Sequence, residues 1–114
     1  MKLVRLLLCG LVPLAAAAES GTASYMSPAL EGKPTASGEP FNPRQLTAAS
    51  YKYFRRYVRV TNPSNGKSVV VWVNDKGPAK RLHRIIDLSP AAYNIIAQPF
   101  YQRKGTLFVT IHPQ

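Results

Sequence analysis

Five carboxylates stand against 15 lysines and arginines in this 114-residue chain. They are Glu19, Glu31, Glu39, Asp75 and Asp87. General acid–base chemistry needs a side chain that can give or take a proton at the reacting atom, so few groups here qualify. Imidazole adds only His83 and His112, and the one thiol is Cys9. That inventory argues against a zinc site, which takes three or four Cys, His or acidic ligands. No Gly-rich phosphate cradle interrupts the chain. No metal or cofactor is therefore expected.

A second chemical signature is the stretch Tyr51-Lys52-Tyr53-Phe54-Arg55-Arg56-Tyr57-Val58-Arg59, in which cations and aromatics interleave. Lys80-Arg81, His83-Arg84 and Arg103-Lys104 add to a formal net charge of +10. Such a surface suits polyanions, and aromatic faces can stack on bases or on sugar rings. Tyr51, Tyr53, Phe54 or Trp72 are candidates to line a glycan groove. The plainer reading packs the aromatic rings inward and leaves the cations in water.

The first residues argue for an exported chain and against nucleic acid. Lys2 and Arg5 precede an apolar stretch, Leu6 to Leu14, too short to span a bilayer, and Ala15 to Ala18 supply small residues for cleavage. This order is that of a secretory leader cut near Ala18, leaving a periplasmic or secreted domain over 19–114. Apolar residues flank Cys9 on both sides, which argues against lipidation there. Cleavage would remove the only cysteine, so the mature domain would fold without disulfides. It would carry no transmembrane segment and is expected to be monomeric.

The elements that must position these groups are short. Gly21 to Met26 reads as a first strand. Residues 27–45 are rich in Pro, Gly and Ser and read as a long ordered loop, the kind that often carries function. Leu46 to Ala49 is a second, shorter strand. Tyr57 to Asn62 alternates with Val58 and Val60 on one face; Pro63-Ser64-Asn65-Gly66 turns; Ser68 to Asn74 is a β-branched run. These form a hairpin. If Val71 and Val73 face the core, Trp72 lies on the groove or outer face. Arg84 to Leu88 is another strand. Ser89 and Pro90 start a helix as N-cap and N1, with Ala91, Ala92, Ile95 and Ile96 as its apolar face and Gln98-Pro99 at its end. Thr106 to Ile111 closes the set. The reading is mainly β: about six strands and one or two short helices in a small, mostly antiparallel barrel.

Three segments in order carry a resemblance. They are Thr35-Ala36-Ser37-Gly38-Glu39-Pro40-Phe41, Val71-Trp72-Val73-Asn74-Asp75-Lys76-Gly77-Pro78 and Arg84-Ile85-Ile86-Asp87-Leu88-Ser89. Together they resemble the rare lipoprotein A family, whose domain is a double-psi β-barrel similar to those of expansins and barwins. Gly21 to Tyr25 and Tyr57 to Gly66 fit as well. The resemblance implies an envelope protein acting on peptidoglycan glycan strands, or another anionic envelope polysaccharide. The activity implied is lytic transglycosylation, which ends in a 1,6-anhydro ring; the alternative is a non-catalytic wall-binding module. It implies Glu39 as catalytic acid, with Asp75 and Asp87 as further catalytic candidates, and Tyr25, Ser37, Ser50, Trp72 and Asn74 as substrate contacts. Asp75 also reads as a turn aspartate, and Asp87 as a carboxylate near a helix N-terminus. The chain departs from the family where Thr47-Ala48-Ala49-Ser50 replaces Thr-Ala-Ala-His, and where residues 51–57 are bulkier and more basic. His83 lies outside the motif and reads as a solvated loop residue.

Overall fold

A computed structural model describes residues 18–98 and 105–114. Most of the expected leader, with Cys9, lies outside the described residues, as do Pro99 and the Arg103-Lys104 pair.

Six strands close into a barrel. In chain order they are β1 (Glu19–Tyr25), β2 (Thr47–Ala49), β3 (Tyr57–Thr61), β4 (Ser68–Asp75), β5 (Ile86–Leu88) and β6 (Leu107–Pro113). Around the barrel the order is β1-β5-β2-β4-β3-β6, returning to β1. The pairings β1–β6, β2–β5, β3–β4 and β3–β6 are antiparallel; β1–β5 and β2–β4 are parallel. This is the small, mainly β double-psi barrel that the motifs imply, and closure leaves no sheet edge unpaired.

The β3–β4 hairpin runs in register from Tyr57↔Trp72 to Thr61↔Ser68. Its turn uses Gly66 at φ +76°, a conformation that glycine adopts without steric cost. Val58, Val60, Val71 and Val73 are fully buried, and they meet Ile86, Leu88, Val109 and Ile111 inside the barrel. Burying each such side chain contributes about 1.5–3 kcal/mol. Trp72 faces out between its two buried valines, as the alternation requires. At Gly21 a β-carbon would come within 2.8 Å of the Ile85 side chain, so only glycine lets that residue lie across β1.

One α-helix, α1 (Pro90–Ala97), covers one flank of the barrel. Ser89 caps it by accepting from Ala92 N–H at 3.2 Å and donates to Gln45 O at 2.6 Å, which ties the helix start to the chain entering β2. Its buried face is Ala92, Tyr93, Ile96 and Ala97, and Ile95 is exposed. This corrects the expected face of Ala91, Ala92, Ile95 and Ile96. The helix is turned by roughly one residue, because burying the Tyr93 ring outweighs burying Ile95. At its other end the hairpin turn receives the free carbonyls. Asn62 Nδ2 donates to Ile96 O at 2.8 Å, and Asn65 Nδ2 to Ile96 O at 2.9 Å and Gln98 O at 3.2 Å. Two short 3-10 turns, Pro28–Leu30 and Lys80–Leu82, interrupt the loops.

Candidate functional site

The long loop before β2 is stitched across the end of β4. Ser37 N–H donates to Asn74 O at 3.1 Å, and Ala36 N–H donates to Asp75 Oδ1 at 3.0 Å. Within the loop, Thr35 Oγ1 donates to Glu39 O at 2.8 Å, Thr35 N–H does so at 2.9 Å, and Gly38 takes φ +91° to make the bend. A shapeless sequence thus becomes a fixed support for one carboxylate. Glu39 is exposed, and its Oε1 accepts from Ser37 Oγ at 3.1 Å and from Trp72 Nε1 at 3.3 Å. Oε2 accepts no hydrogen bond from any described residue.

Trp72 is itself supported. The Tyr57 ring, 56% exposed, leans on it at 4.9 Å between centroids and 45° between planes. The pair forms an aromatic ledge beside Glu39, of a type that sugar faces pack against.

Beyond the loop, strand register sets the remaining acids abreast. Asp75 pairs with Ala49, Ala49 with Asp87, and Asp87 with Ser24. A β-bulge between Ala48 and Ala49 brings Asp75 rather than Asn74 into this row. Side chains of paired residues share a face, and neighbouring strands lie about 4.8 Å apart. The aspartate Cα atoms are therefore roughly 10 Å apart, with the small Ala49 side chain between them. Ala49 acts as floor: a larger residue would fill the gap. Gly77 stands beside it, since a β-carbon there would lie 3.8 Å from Ala49 Cβ.

The two aspartates are differently engaged. Asp75 Oδ1 accepts from the backbone of Ala36 and of Lys76, at 3.0 and 2.9 Å, so it does the turn work expected of it and also anchors the Glu39 loop. Asp87 is gripped through both oxygens by Arg84, Nε to Oδ1 at 3.1 Å and a terminal nitrogen to Oδ2 at 3.3 Å. This pair is largely buried, with side-chain exposures of 23% and 16%.

The expected substrate contacts divide. Ser37 and Trp72 join Glu39 directly. Asn74 is buried under the loop with its Oδ1 unpartnered, within reach of the same region but screened from solvent. Ser50 is fully buried, and its hydroxyl accepts from Tyr53 N–H at 3.2 Å. A sugar contact at Ser50 does not fit that burial; the residue shapes the turn after β2. Tyr25 pairs with Leu88, a core residue, and its ring leans on Tyr93 at 5.0 Å, so it belongs to the helix side and not to the acid row. Of the basic and aromatic stretch, Tyr53 packs inward and Tyr51 and Tyr57 are exposed. His83 is exposed at the end of a 3-10 turn, away from the row.

Arg84, Tyr57 and Ala49 lie in stretches read from the sequence but were given no site role there. Arg84 carried a weak signal, three residues before Asp87. Tyr57 and Ala49 become site residues only through register. Among the described residues, no group of three or more His, Cys, Asp or Glu could hold a metal ion, and no helix is long and apolar enough to cross a membrane.

Comparison with known proteins matches residues 18–111 to a family described as lytic transglycolase. The endolytic peptidoglycan transglycosylase RlpA of Neisseria meningitidis is 40% identical over 94 residues, 82% of this chain and 38% of that protein. RlpA of Pseudomonas aeruginosa is 44% identical over 92 residues, 80% of this chain and 26% of that one. The chain thus spans less than two-fifths of the length of these curated relatives. Among solved structures, the Streptomyces papain inhibitor superposes with a TM-score of 0.66 at 22% identity, covering 84% of this chain and 93% of the inhibitor. An expansin of Clavibacter michiganensis gives 0.63 at 20% identity, covering 86% and 50%. A mutant of that expansin, solved in complex with cellohexaose, gives 0.60 at 18%. At these identities the structural likeness speaks for the fold alone.

Proposed function

The chain belongs to the lytic transglycolase family, and from that membership we propose that it acts on peptidoglycan glycan strands as a lytic transglycosylase with Glu39 as the acid. One observation carries the assignment. Glu39 is held by Ser37 and Trp72 through a single oxygen, which leaves Oε2 without a hydrogen bond from any described residue and open to a substrate oxygen.

The chemistry balances without water. The proton on Glu39 Oε2 passes to the glycosidic oxygen as its bond to C1 breaks. The sugar's own 6-hydroxyl oxygen forms the new bond to C1 and closes the 1,6-anhydro ring. Its proton returns to Glu39, directly or relayed through Asp75, so the enzyme ends the cycle as it began. The Trp72–Tyr57 ledge packs against a sugar on one side of the scissile bond, and the Ala49 floor receives the strand beyond it. Asp75 keeps the acid's loop in place. Asp87, committed to Arg84, shapes the far wall.

The proposed setting is the cell envelope or the medium, after a leader ending near Ala18. Support comes from the order of charged, apolar and small residues at the start of the chain and from its similarity to peptidoglycan transglycosylases.

A second reading is a wall-binding module that does not cut. What favours it is Ser50: buried, uncharged, and standing where the family pattern that the chain resembles has histidine. One experiment separates the two. The protein is incubated with glycan strands stripped of peptide and with intact strands, and the products are analysed by mass spectrometry. Products with 1,6-anhydro ends that vanish in Glu39→Gln support the enzyme. Retained binding with no such product supports the module.

A further inference from the structure

Beyond the acid row lies a shallow pocket of about 180 Å³, walled by Glu19, Tyr51, Lys52, Pro78, Lys80 and Arg84. It borders the acid row through two shared walls. Arg84 lines the pocket and grips Asp87, while Gly77 lines it and stands beside Ala49. Its charge is unbalanced. Glu19 is occupied by the Tyr53 hydroxyl at 2.8 Å and by Lys52 Nζ at 3.4 Å. Arg84 is matched by Asp87. Lys80 makes no ion pair with any described residue, and no further carboxylate faces it. Tyr51, 58% exposed, offers a ring at the rim.

An exposed ring beside an uncompensated ammonium, in a concavity bordering the acid row, is a combination that takes a sugar bearing a negative charge. The ring accepts the sugar face, and the ammonium donates to the carboxylate. The volume is below the roughly 300–1,000 Å³ of sites for drug-sized ligands, so it holds a single sugar or its substituent. We propose that this pocket is a subsite for a carboxylate carried on the glycan, with Lys80 as its ion-pair partner and Tyr51 as its platform. The inference rests on the glycan reading above and adds to it a specificity for acidic over neutral sugars. Two sources offer that chemistry in peptidoglycan: the lactyl carboxylate of an unsubstituted muramyl sugar, and the carboxylates of a stem peptide.

The test measures affinity by calorimetry at low salt for three oligosaccharides of one length. One is peptide-free and alternates N-acetylglucosamine with N-acetylmuramic acid. The second is the same chain with its carboxylates reduced to alcohols, and the third bears peptides. Reduction should weaken binding about threefold to tenfold, and Lys80→Gln should remove that difference while leaving the reduced chain's affinity unchanged. Stronger Lys80-dependent binding of the peptide-free chain identifies the lactyl group as the source; stronger binding of the peptide-bearing chain identifies the peptide. Equal affinity for the free and reduced chains overturns the subsite and leaves the glycan reading intact. Lys80→Gln weakening both alike does the same. Absence of binding to all three removes the glycan reading, and the subsite with it.

Discussion

Both hydrogen bonds that hold Glu39 fall on one oxygen, and that asymmetry sets what its neighbours should do. Glu39→Gln keeps the shape and loses the proton, so turnover should fall at least ~100-fold while glycan binding stays within a factor of about two. A mass-spectrometric assay beside a binding titration checks both halves, and undiminished turnover would remove Glu39 from the role. Tyr57 is mostly exposed and touches Trp72 rather than the core, so Tyr57→Ala should leave the fold intact. It should weaken glycan binding about threefold to tenfold by removing half the ledge. Circular dichroism with a binding isotherm reads both, and unchanged affinity would place the sugar elsewhere. At this scale the sequence was legible where alternation applied: Trp72 had to face away from its valines. It was silent on Ser37, Thr35 and Trp72 converging on Glu39, because the loop has no period from which a direction could be read. It did not show the burial of Ser50, since motif position says which residue stands in a slot and not whether the slot is open to solvent.

At the scale of elements, the helix and the hairpin turn share hydrogen bonds that neither could make alone. Asn62 is buried, its amide donating to Ile96 O and its Oδ1 accepting from Ser64 N–H at 3.0 Å. Asn62→Ala should therefore cost about 1–3 kcal/mol, because a buried carbonyl and a turn both lose a partner. Urea denaturation measures this; a cost below ~0.5 kcal/mol would mean that Asn65 alone satisfies the helix end. The hairpin was legible from its Asn-Gly turn and β-branched run, and α1 from Ser89-Pro90. The helix face was off by about a residue because apolar spacing alone ranked isoleucine above tyrosine. The bulge at Ala48/Ala49 was invisible, since it arises from the parallel pairing of strands distant in sequence.

Across the whole molecule, Tyr53 reports on alkaline stability. Burial first, then its hydrogen bond to Glu19, pushes its phenol up to about 12 from an ordinary value near 10. Below about pH 10 the phenol is neutral in both the folded and unfolded chain, so its contribution is fully present. Between about 10 and 12 only the unfolded chain ionises, so folding stability declines, by roughly 2–3 kcal/mol in all, and then levels off. Tyr53→Phe should flatten that part of the stability curve. Equal slopes for both proteins in chemical denaturation from pH 9 to 12 would show that the phenol ionises alike in both states. The barrel class was legible in the count and length of the strands. Its closed order was not, because the neighbours of β1 are set by contacts across nearly the whole chain.

That order has a consequence for how the chain comes to be folded. β1 is the earliest of the six barrel strands in the chain, yet its two partners are β5 and β6, the latest of the six. While β3 and β4 can zip together locally, β1 waits with one backbone edge unpaired until Ile86–Leu88 is available and with the other unpaired until Leu107–Pro113 is. Pairings this distant in sequence make for slow closure, on the order of milliseconds to seconds. During that wait a bare strand is open to pairing with another copy. The same closure that leaves the finished barrel without edges makes its first strand the part most dependent on being kept apart from other chains until the last one arrives.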